Sequence, residues 1–123
     1  MPATLLDHVT QAMRIFSAET FGPVKRIVRV DGVEEAVACA NDNEYGLSAS
    51  VFGRDQALAF RVARRIDSGI CHVNGPTVHD EAQMPSSGVK GSGFGCFGGK
   101  AGIVEFPELR WITMQTTPRQ YPF

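Results

Sequence analysis

The chain lacks several sequence features that would directly identify its class of protein. In 123 residues, no apolar run approaches the ~18–20 residues that a helix needs to span a bilayer. No basic cluster followed by an apolar stretch opens the sequence, so we do not expect a secretory signal. Neither sign of charge dominates, since 12 lysines and arginines stand against 13 acidic residues, and the net charge of −1 argues against a broad phosphate-binding surface. We therefore expect a cytoplasmic protein that binds neither membranes nor nucleic acid.

Cysteine is also scarce. Cys39, Cys71 and Cys96 are far apart and show no C-x-x-C spacing, a pattern that is typical of a reducing compartment and excludes a disulfide scaffold or a zinc site. On a strand, Cys71 and the adjacent His72 would point to opposite faces, which excludes a nucleophile and base pair. Residues 79–81, His-Asp-Glu, could offer metal ligands, but three consecutive residues rarely converge on one ion. We interpret them as a polar loop and predict no metal site.

Strand and helix patterns alternate through the first part of the chain. Because the patterns alternate, we predict one domain of the α/β class, with crossovers between the strands of a sheet. Asp31 and Glu34 have the spacing of a capping box at the start of the first helix, and Asp55 is suited to cap the second. The second helix carries an apolar stripe of Leu58, Val62 and Ile66. The predicted order is a strand at 24–30, a helix at 32–42, a strand at 47–52, a helix that Gly69 ends and a strand at 70–74.

Residues 75–102 differ in character, because seven glycines fall between Gly88 and Gly102. We predict a long loop, which in a compact domain is usually functional or disordered. Residues 93–98 satisfy G-x-G-x-x-G, but a dinucleotide-binding motif needs a buried strand just before it, and residues 84–88 do not offer one. A short helix at 103–109, a strand at 111–116 and a tail at 118–123 complete the prediction. The residues alone thus indicate an α/β unit with no assignable catalytic group.

Three co-linear segments resemble the NAD(P)-dependent aldehyde dehydrogenase family. Residues 19–24, E-T-F-G-P-V, are similar to that family's E-x-F-G-P-V segment. Residues 43–52, N-E-Y-G-L-S-A-S-V-F, are similar to its N-x-x-Y-G-L strand. Residues 68–74, followed by 84–95, resemble its G-x-x-x-x-N strand and P-F-G-G-x-K-x-S-G loop. The segments at 74–84 and 108–114 resemble the branch that acts on aromatic aldehydes such as salicylaldehyde, benzaldehyde and vanillin.

The resemblance implies a fold and a reaction. The fold would be the C-terminal part of the family's catalytic domain, with a catalytic-domain remnant at about 1–107 and an oligomerisation strand at about 108–116. The reaction would be oxidation of an aldehyde to a carboxylic acid, with NAD or NADP as the cofactor. A small-molecule aldehyde would be the substrate, and we expect the chain to associate with itself or with a missing N-terminal portion.

The resemblance also implies roles for four residues. Glu19 would hold the hydroxyls of the nicotinamide ribose, and Phe21 would pack near the nicotinamide. His79 and Ser86 would belong to the loop that lines the aldehyde pocket. Ser86 and Ser87 stand where the family usually has Phe-Gly, and Cys96 stands where arginine is common.

No catalytic residue can be carried over from the family. None of the three cysteines lies in a segment like that of the family's nucleophile, and the general-base glutamate, the oxyanion asparagine and the Rossmann-type domain have no counterpart in these residues. Two hypotheses follow: an aldehyde dehydrogenase fragment, or an inactive truncated chain that acts at most as an association or complementing module.

Overall fold

The computed structural model describes residues 2–120 and 122. The longest of its helices has 10 residues, and no helix in this described part is long and apolar enough to cross a membrane. In chain order the elements are β1 (Thr4–Leu6), α1 (Arg14–Ser17), β2 (Val24–Arg26), α2 (Gly32–Asn41), β3 (Tyr45–Gly46), β4 (Ser48–Val51), α3 (Gln56–Ala63), β5 (Ile70–Val73), β6 (Val89–Lys90) and α4 (Gly99–Glu105).

The central unit is a parallel crossover from β4 through α3 to β5. The two strands pair in register from Ser48 with Ile70 to Val51 with Val73. The Asp55 carboxylate accepts a hydrogen bond of 3.0 Å from the backbone N–H of Leu58, so it caps the N-terminus of α3 as the sequence predicts. The predicted strands at 47–52 and 70–74 and the helix between them are therefore confirmed.

The remaining strands form two further pairs rather than one continuous sheet. β1 runs parallel to β2, and β3 runs antiparallel to β6. The predicted strand at 24–30 is too long, because β1 offers only three residues for β2 to pair with. β1, α1, β3 and β6 are absent from the sequence prediction.

The helix ends differ in part from the prediction. α2 agrees with the predicted helix at 32–42, but the side chain of Asp31 makes no capping hydrogen bond, so the predicted capping box is wrong. Instead the Glu35 carboxylate accepts a hydrogen bond of 2.5 Å from the N–H of Asp31, and Glu34 pairs with Arg65. α3 ends at Ala63 and not near Gly69, because tighter turns follow it. α4 begins four residues before the predicted helix at 103–109.

The core is thin. The predicted stripe on α3 is only partly correct, since Leu58 is 40% exposed while Ala59 and Ala63 are buried. Alanine is small enough to let α3 lie close against β4 and β5, which it contacts. The buried apolar residues of the described part are Val9, Phe16, Val37, Ala59 and Ala63.

Residues 107–120 contain no regular secondary structure. The predicted strand at 111–116 is therefore wrong for the chain by itself, because a strand needs a partner and no described segment pairs with this one. Its Trp111 side chain is 90% exposed. A pairing of this segment with another chain stays a prediction. Of the predicted tail, Tyr121 and Phe123 lie outside the described residues.

Candidate functional site

A cleft of about 720 Å³ contains Glu19 in its wall. Its wall is formed by the segment that follows α1, by β2, the end of α2, β3, β4, the turn before β5 and the residues after β6. Glu19 lies just beyond the C-terminal end of the short helix α1, which places it at the cleft rather than in the body of the domain. Polar, charged and glycine residues of the wall include Glu19, Lys25, Arg26, Asn43, Tyr45, Gly46, Asp67, Ser68, Gly91 and Ser92.

Negative charge is concentrated around Tyr45. The carboxylates of Glu44 and then Glu19 raise the pKa of the Tyr45 phenol, because they disfavour a second negative charge there. On the cationic side, the Arg26 guanidinium donates to the carbonyl oxygen of Ile15 at 3.1 Å and lies 5.9 Å from the centre of the Phe16 ring. Arg26 is thus held by α1, and Glu19 and Tyr45 both line the cleft.

Glu19 gives the cleft one group that a nicotinamide dinucleotide would use. A carboxylate can accept two hydrogen bonds from the vicinal hydroxyls of a ribose, and Glu19 is part of the cleft wall. The glycine segment at 93–98 does not complete the site. Gly98 approaches the carbonyl of Met84 so closely that a Cβ atom would lie 2.1 Å from its oxygen, so this glycine serves packing. That Glu19 binds a ribose stays a prediction, and the packed Gly98 gives no support to a pyrophosphate loop at 93–98.

Phe21 does not line this cleft. Its side chain is 94% exposed, although it follows Glu19 by only two residues. The role of Phe21 beside a nicotinamide stays a prediction.

A second pocket, about 380 Å³ in volume, lies between the start of β5 and the loop at 79–85. His79 lines it, and the His79 ring meets the His72 ring edge-on, with ring centroids 5.7 Å apart. The His79 Nε2 atom is 3.4 Å from the Glu81 carboxylate. The His72 Nε2 atom is buried and has no hydrogen-bond partner in the described part of the chain.

Ser86 lies next to this pocket and does not line it. Its backbone N–H and carbonyl both pair with Phe97, each at 2.8 Å. This bridge ties the segment before β6 to the glycine-rich segment after it. His79 thus lies in the wall of this pocket, whereas Ser86 occupies the adjoining bridge, and the role of both residues at an aldehyde pocket stays a prediction.

The cysteines and acidic residues do not assemble into a reactive group. Burial raises the pKa of the Cys71 thiol, and the neighbouring Ser68 hydroxyl opposes this only in part, so Cys71 has little thiolate character. The Cys96 thiol lies 3.6 Å from the Phe97 carbonyl oxygen. Among residues 2–120 and 122, no three His, Cys, Asp or Glu side chains are grouped so that they could hold a metal ion.

The sequence analysis did not single out Ser92, which lines the cleft, or Lys90, which precedes the lining residue Gly91. The Ser92 hydroxyl accepts a hydrogen bond of 2.8 Å from the N–H of Gly46, which joins two parts of the cleft wall. The Lys90 ammonium lies 2.9 Å from the carbonyl oxygen of Asn41. The K-x-S spacing at 90–92 was visible in the sequence, but nothing there indicates partners more than 40 residues away.

Comparison with known proteins gives consistent matches. The aldehyde dehydrogenase family profile matches residues 1–112. A vanillin dehydrogenase from Pseudomonas sp. (strain HR199 / DSM 7063) is 57% identical over 122 residues, or 99% of this chain. A salicylaldehyde dehydrogenase from Pseudomonas sp. (strain C18) is 52% identical over 123 residues, or 100% of this chain. The crystal structure of a salicylaldehyde dehydrogenase from Pseudomonas putida G7, complexed with salicylaldehyde, matches all of this chain with a TM-score of 0.93 and 52% identity.

The matches cover this chain almost completely and the relatives only in part. The chain spans 25% of the vanillin dehydrogenase, 26% of the salicylaldehyde dehydrogenase and 25% of the matched crystal structure. The resemblance read from the three sequence segments is confirmed, as is the α/β fold class with its partial domain.

Proposed function

Because the chain belongs to the aldehyde dehydrogenase family, we propose that it forms the ribose-binding wall of an NAD(P)+-dependent dehydrogenase for aromatic aldehydes. The observation that carries this proposal is the position of Glu19 in a cleft of about 720 Å³. Its carboxylate binds the two ribose hydroxyls and orients the nicotinamide end of the cofactor. NAD or NADP, when bound, accepts the hydride that the aldehyde loses on oxidation to the acid.

The aromatic substrate class is inferred from the relatives. The vanillin and salicylaldehyde dehydrogenases are 57% and 52% identical to this chain over nearly all of its length. The pocket beside His79 and His72, about 380 Å³ in volume, is of a size that suits a small ligand. His79 contributes to the aldehyde pocket in this proposal, and Ser86 shapes the loop that carries it.

The 123-residue chain is inactive by itself in this proposal. Burial raises the pKa of the Cys71 thiol, and none of the three cysteines lies in a segment like that of the family's nucleophile. The chain then acts as a complementing or association module. The exposed apolar side chains of Leu109, Trp111 and Ile112 support that role, because such a surface is suited to contact another polypeptide.

Calorimetric titration with NAD+ and NADP+ tests the cofactor part. One or two hydrogen bonds at ~0.5–1.5 kcal/mol each do not offset the absence of contacts to the pyrophosphate and adenine, so we expect no saturable binding below millimolar concentrations. A micromolar Kd for either nucleotide would contradict the proposal that this chain offers only the ribose wall.

An assay of NADH formation tests the catalytic part. With salicylaldehyde, benzaldehyde or acetaldehyde we expect no NADH above a buffer control, because removing a nucleophile from a cooperating set lowers rates by many orders of magnitude. Cys71→Ser and Cys96→Ser serve as controls. Turnover by the wild-type chain that either substitution abolishes would show that the chain has its own nucleophile.

A further inference from the structure

We propose that Lys90 is a positioning residue that fixes the turn before β5 to the β3–β6 pair in the wall of the Glu19 cleft. Its ammonium lies 2.9 Å from the carbonyl oxygen of Asn41, the last residue of α2, and 3.4 Å from the Asp67 carboxylate in the turn before β5. It thereby connects three segments that are far apart in sequence. This proposal rests on the proposed function only in taking a ribose as the ligand of the cleft. The contacts of Lys90 do not depend on that ligand.

The backbone at Lys90 indicates that the side chain is required. Lys90 has a φ of 54°, in the left-handed region that costs a residue with a Cβ atom and costs glycine almost nothing. Glycines stand nearby at positions 88 and 91, whereas position 90 itself carries a lysine. Lys90 thus has a backbone conformation that is unfavourable for lysine, and its side chain is only 29% exposed. Both observations are consistent with a requirement for its ammonium at this position.

The partners of Lys90 form a closed network. The Asn41 side chain donates to the carbonyl oxygen of Arg65 at 2.8 Å and accepts from the N–H of Asp67 at 2.9 Å. Asn41 therefore holds the turn before β5 through its side chain and holds Lys90 through its carbonyl. A cation on this carbonyl is also well placed because it lies at the negative end of α2.

The network is continuous with the cleft wall. Lys90 pairs with Tyr45 in the β3–β6 ladder, and its neighbour Gly91 donates from its N–H to the Glu44 carbonyl oxygen at 2.9 Å. The N–H of Gly46 donates to Ser92, and Asp67 itself lines the cleft. Loss of the ammonium would leave the turn at Asp67 joined to β3 by the Gly69 N–H, which donates to the Gly46 carbonyl oxygen at 3.0 Å, and would remove its link to β6, so this part of the cleft wall would loosen.

Hydrogen exchange with mass spectrometry tests this proposal on the 123-residue chain, and it can be read whether or not the chain self-associates. In Lys90→Met we expect exchange at the N–H groups of Gly46, Asp67 and Gly91 to rise on the order of tenfold, as for the loss of one charge-assisted hydrogen bond. The β4–β5 pairing, reported by the N–H of Asn74, should exchange at the wild-type rate.

Three further variants separate the ammonium from the backbone. Lys90→Arg should restore slow exchange, because it returns a cation to the same carbonyl. Lys90→Gly relieves the backbone and removes the cation, so we expect it to exchange as fast as Lys90→Met. Lys100→Met on α4 is the matched control and should behave as wild type. Wild-type exchange in Lys90→Met, or slow exchange in Lys90→Gly, would overturn the proposal, and so would a uniform rise over the whole chain.

The test distinguishes this proposal from the proposed function. It uses no nucleotide and no aldehyde, so its outcome does not depend on cofactor binding. If NAD+ binding proves to lie elsewhere while Lys90→Met changes exchange as described, the positioning role holds and the ribose role of the cleft fails.

Discussion

At the scale of single residues, the ion pair between Glu34 and Arg65 joins α2 to the turn after α3. Arg65 donates two hydrogen bonds to the Glu34 carboxylate, one of them at 2.7 Å. This contact lowers the pKa of Glu34 and raises that of Arg65. Both side chains are well exposed, so the contribution to stability is small and sensitive to salt.

The lowered pKa of Glu34 predicts how the ion pair depends on pH. A carboxylate with a folded-state pKa below its unfolded value stabilises the fold above the unfolded value, about 4.3 for glutamate, and loses this contribution as pH falls through the folded value. We therefore expect Glu34→Gln to lower the urea midpoint near neutral pH and to match the wild type at low pH. The control is Glu108→Gln, outside the regular elements. A difference between Glu34→Gln and wild type that does not shrink on acidification would contradict the ion-pair account.

At the scale of elements, β5 lies against the loop before β6 through a glycine. A Cβ atom at Gly69 would lie 1.7 Å from the carbonyl oxygen of Ser87, which is far inside contact distance. Gly69→Ala should therefore push the loop away from β5 and lower the free energy of unfolding by ~1–3 kcal/mol, as overpacking does. Urea denaturation followed by circular dichroism measures this difference.

Gly22→Ala is the matched control, because nothing lies within 4 Å of the Cβ position at Gly22. We expect it to unfold close to the wild-type midpoint. Equal midpoints for Gly69→Ala and Gly22→Ala would show that the loop does not pack on β5 in solution.

The elements also show what the sequence could and could not predict. α2 and the β4–α3–β5 unit followed from apolar spacing and from the Asp55 cap, which are local signals. The β3–β6 pair has two residues in each strand, too few to show an alternation. α3 ends early because Arg65 and Ile66 donate to carbonyls three residues back, a tightening that leaves no sequence signature.

The candidate site followed from family resemblance rather than from residue chemistry. Glu19 carries no local signal that marks it as a ligand, and only its place in the E-x-F-G-P-V segment did so. The role of Lys90 was out of reach because its partners, Asn41 and Asp67, lie 49 and 23 residues away. Long-range contacts of this kind depend on the fold, which a single sequence does not reveal.

At the scale of the whole molecule, the exposed segment at 107–120 predicts self-association. Leu109, Trp111 and Ile112 are largely exposed to solvent, and Trp111 is the single tryptophan of the chain. At tens of micromolar we expect light scattering to give a mass above the 13.3 kDa of the monomer and Trp111 fluorescence to shift to the blue as the concentration rises.

Ile112→Asp should reduce the association, whereas Val78→Asp should leave it unchanged. Val78 is 92% exposed in the loop after β5, so it matches Ile112 in chemistry and exposure but not in location. A wild-type chain that remains a monomer at these concentrations would contradict the prediction, as would equal effects of the two aspartates.

The central claim is that residues 1–123 form a working ribose wall that lacks its own catalytic groups. The most direct measurement is NADH formation by a chimera in which this chain replaces the matching quarter of the vanillin dehydrogenase from Pseudomonas sp. (strain HR199 / DSM 7063). We predict oxidation of an aromatic aldehyde by the chimera, and a KM for NAD+ that rises about tenfold to a hundredfold in Glu19→Gln, with Glu108→Gln unchanged. A folded chimera without activity, or an unchanged KM in Glu19→Gln, would contradict the claim.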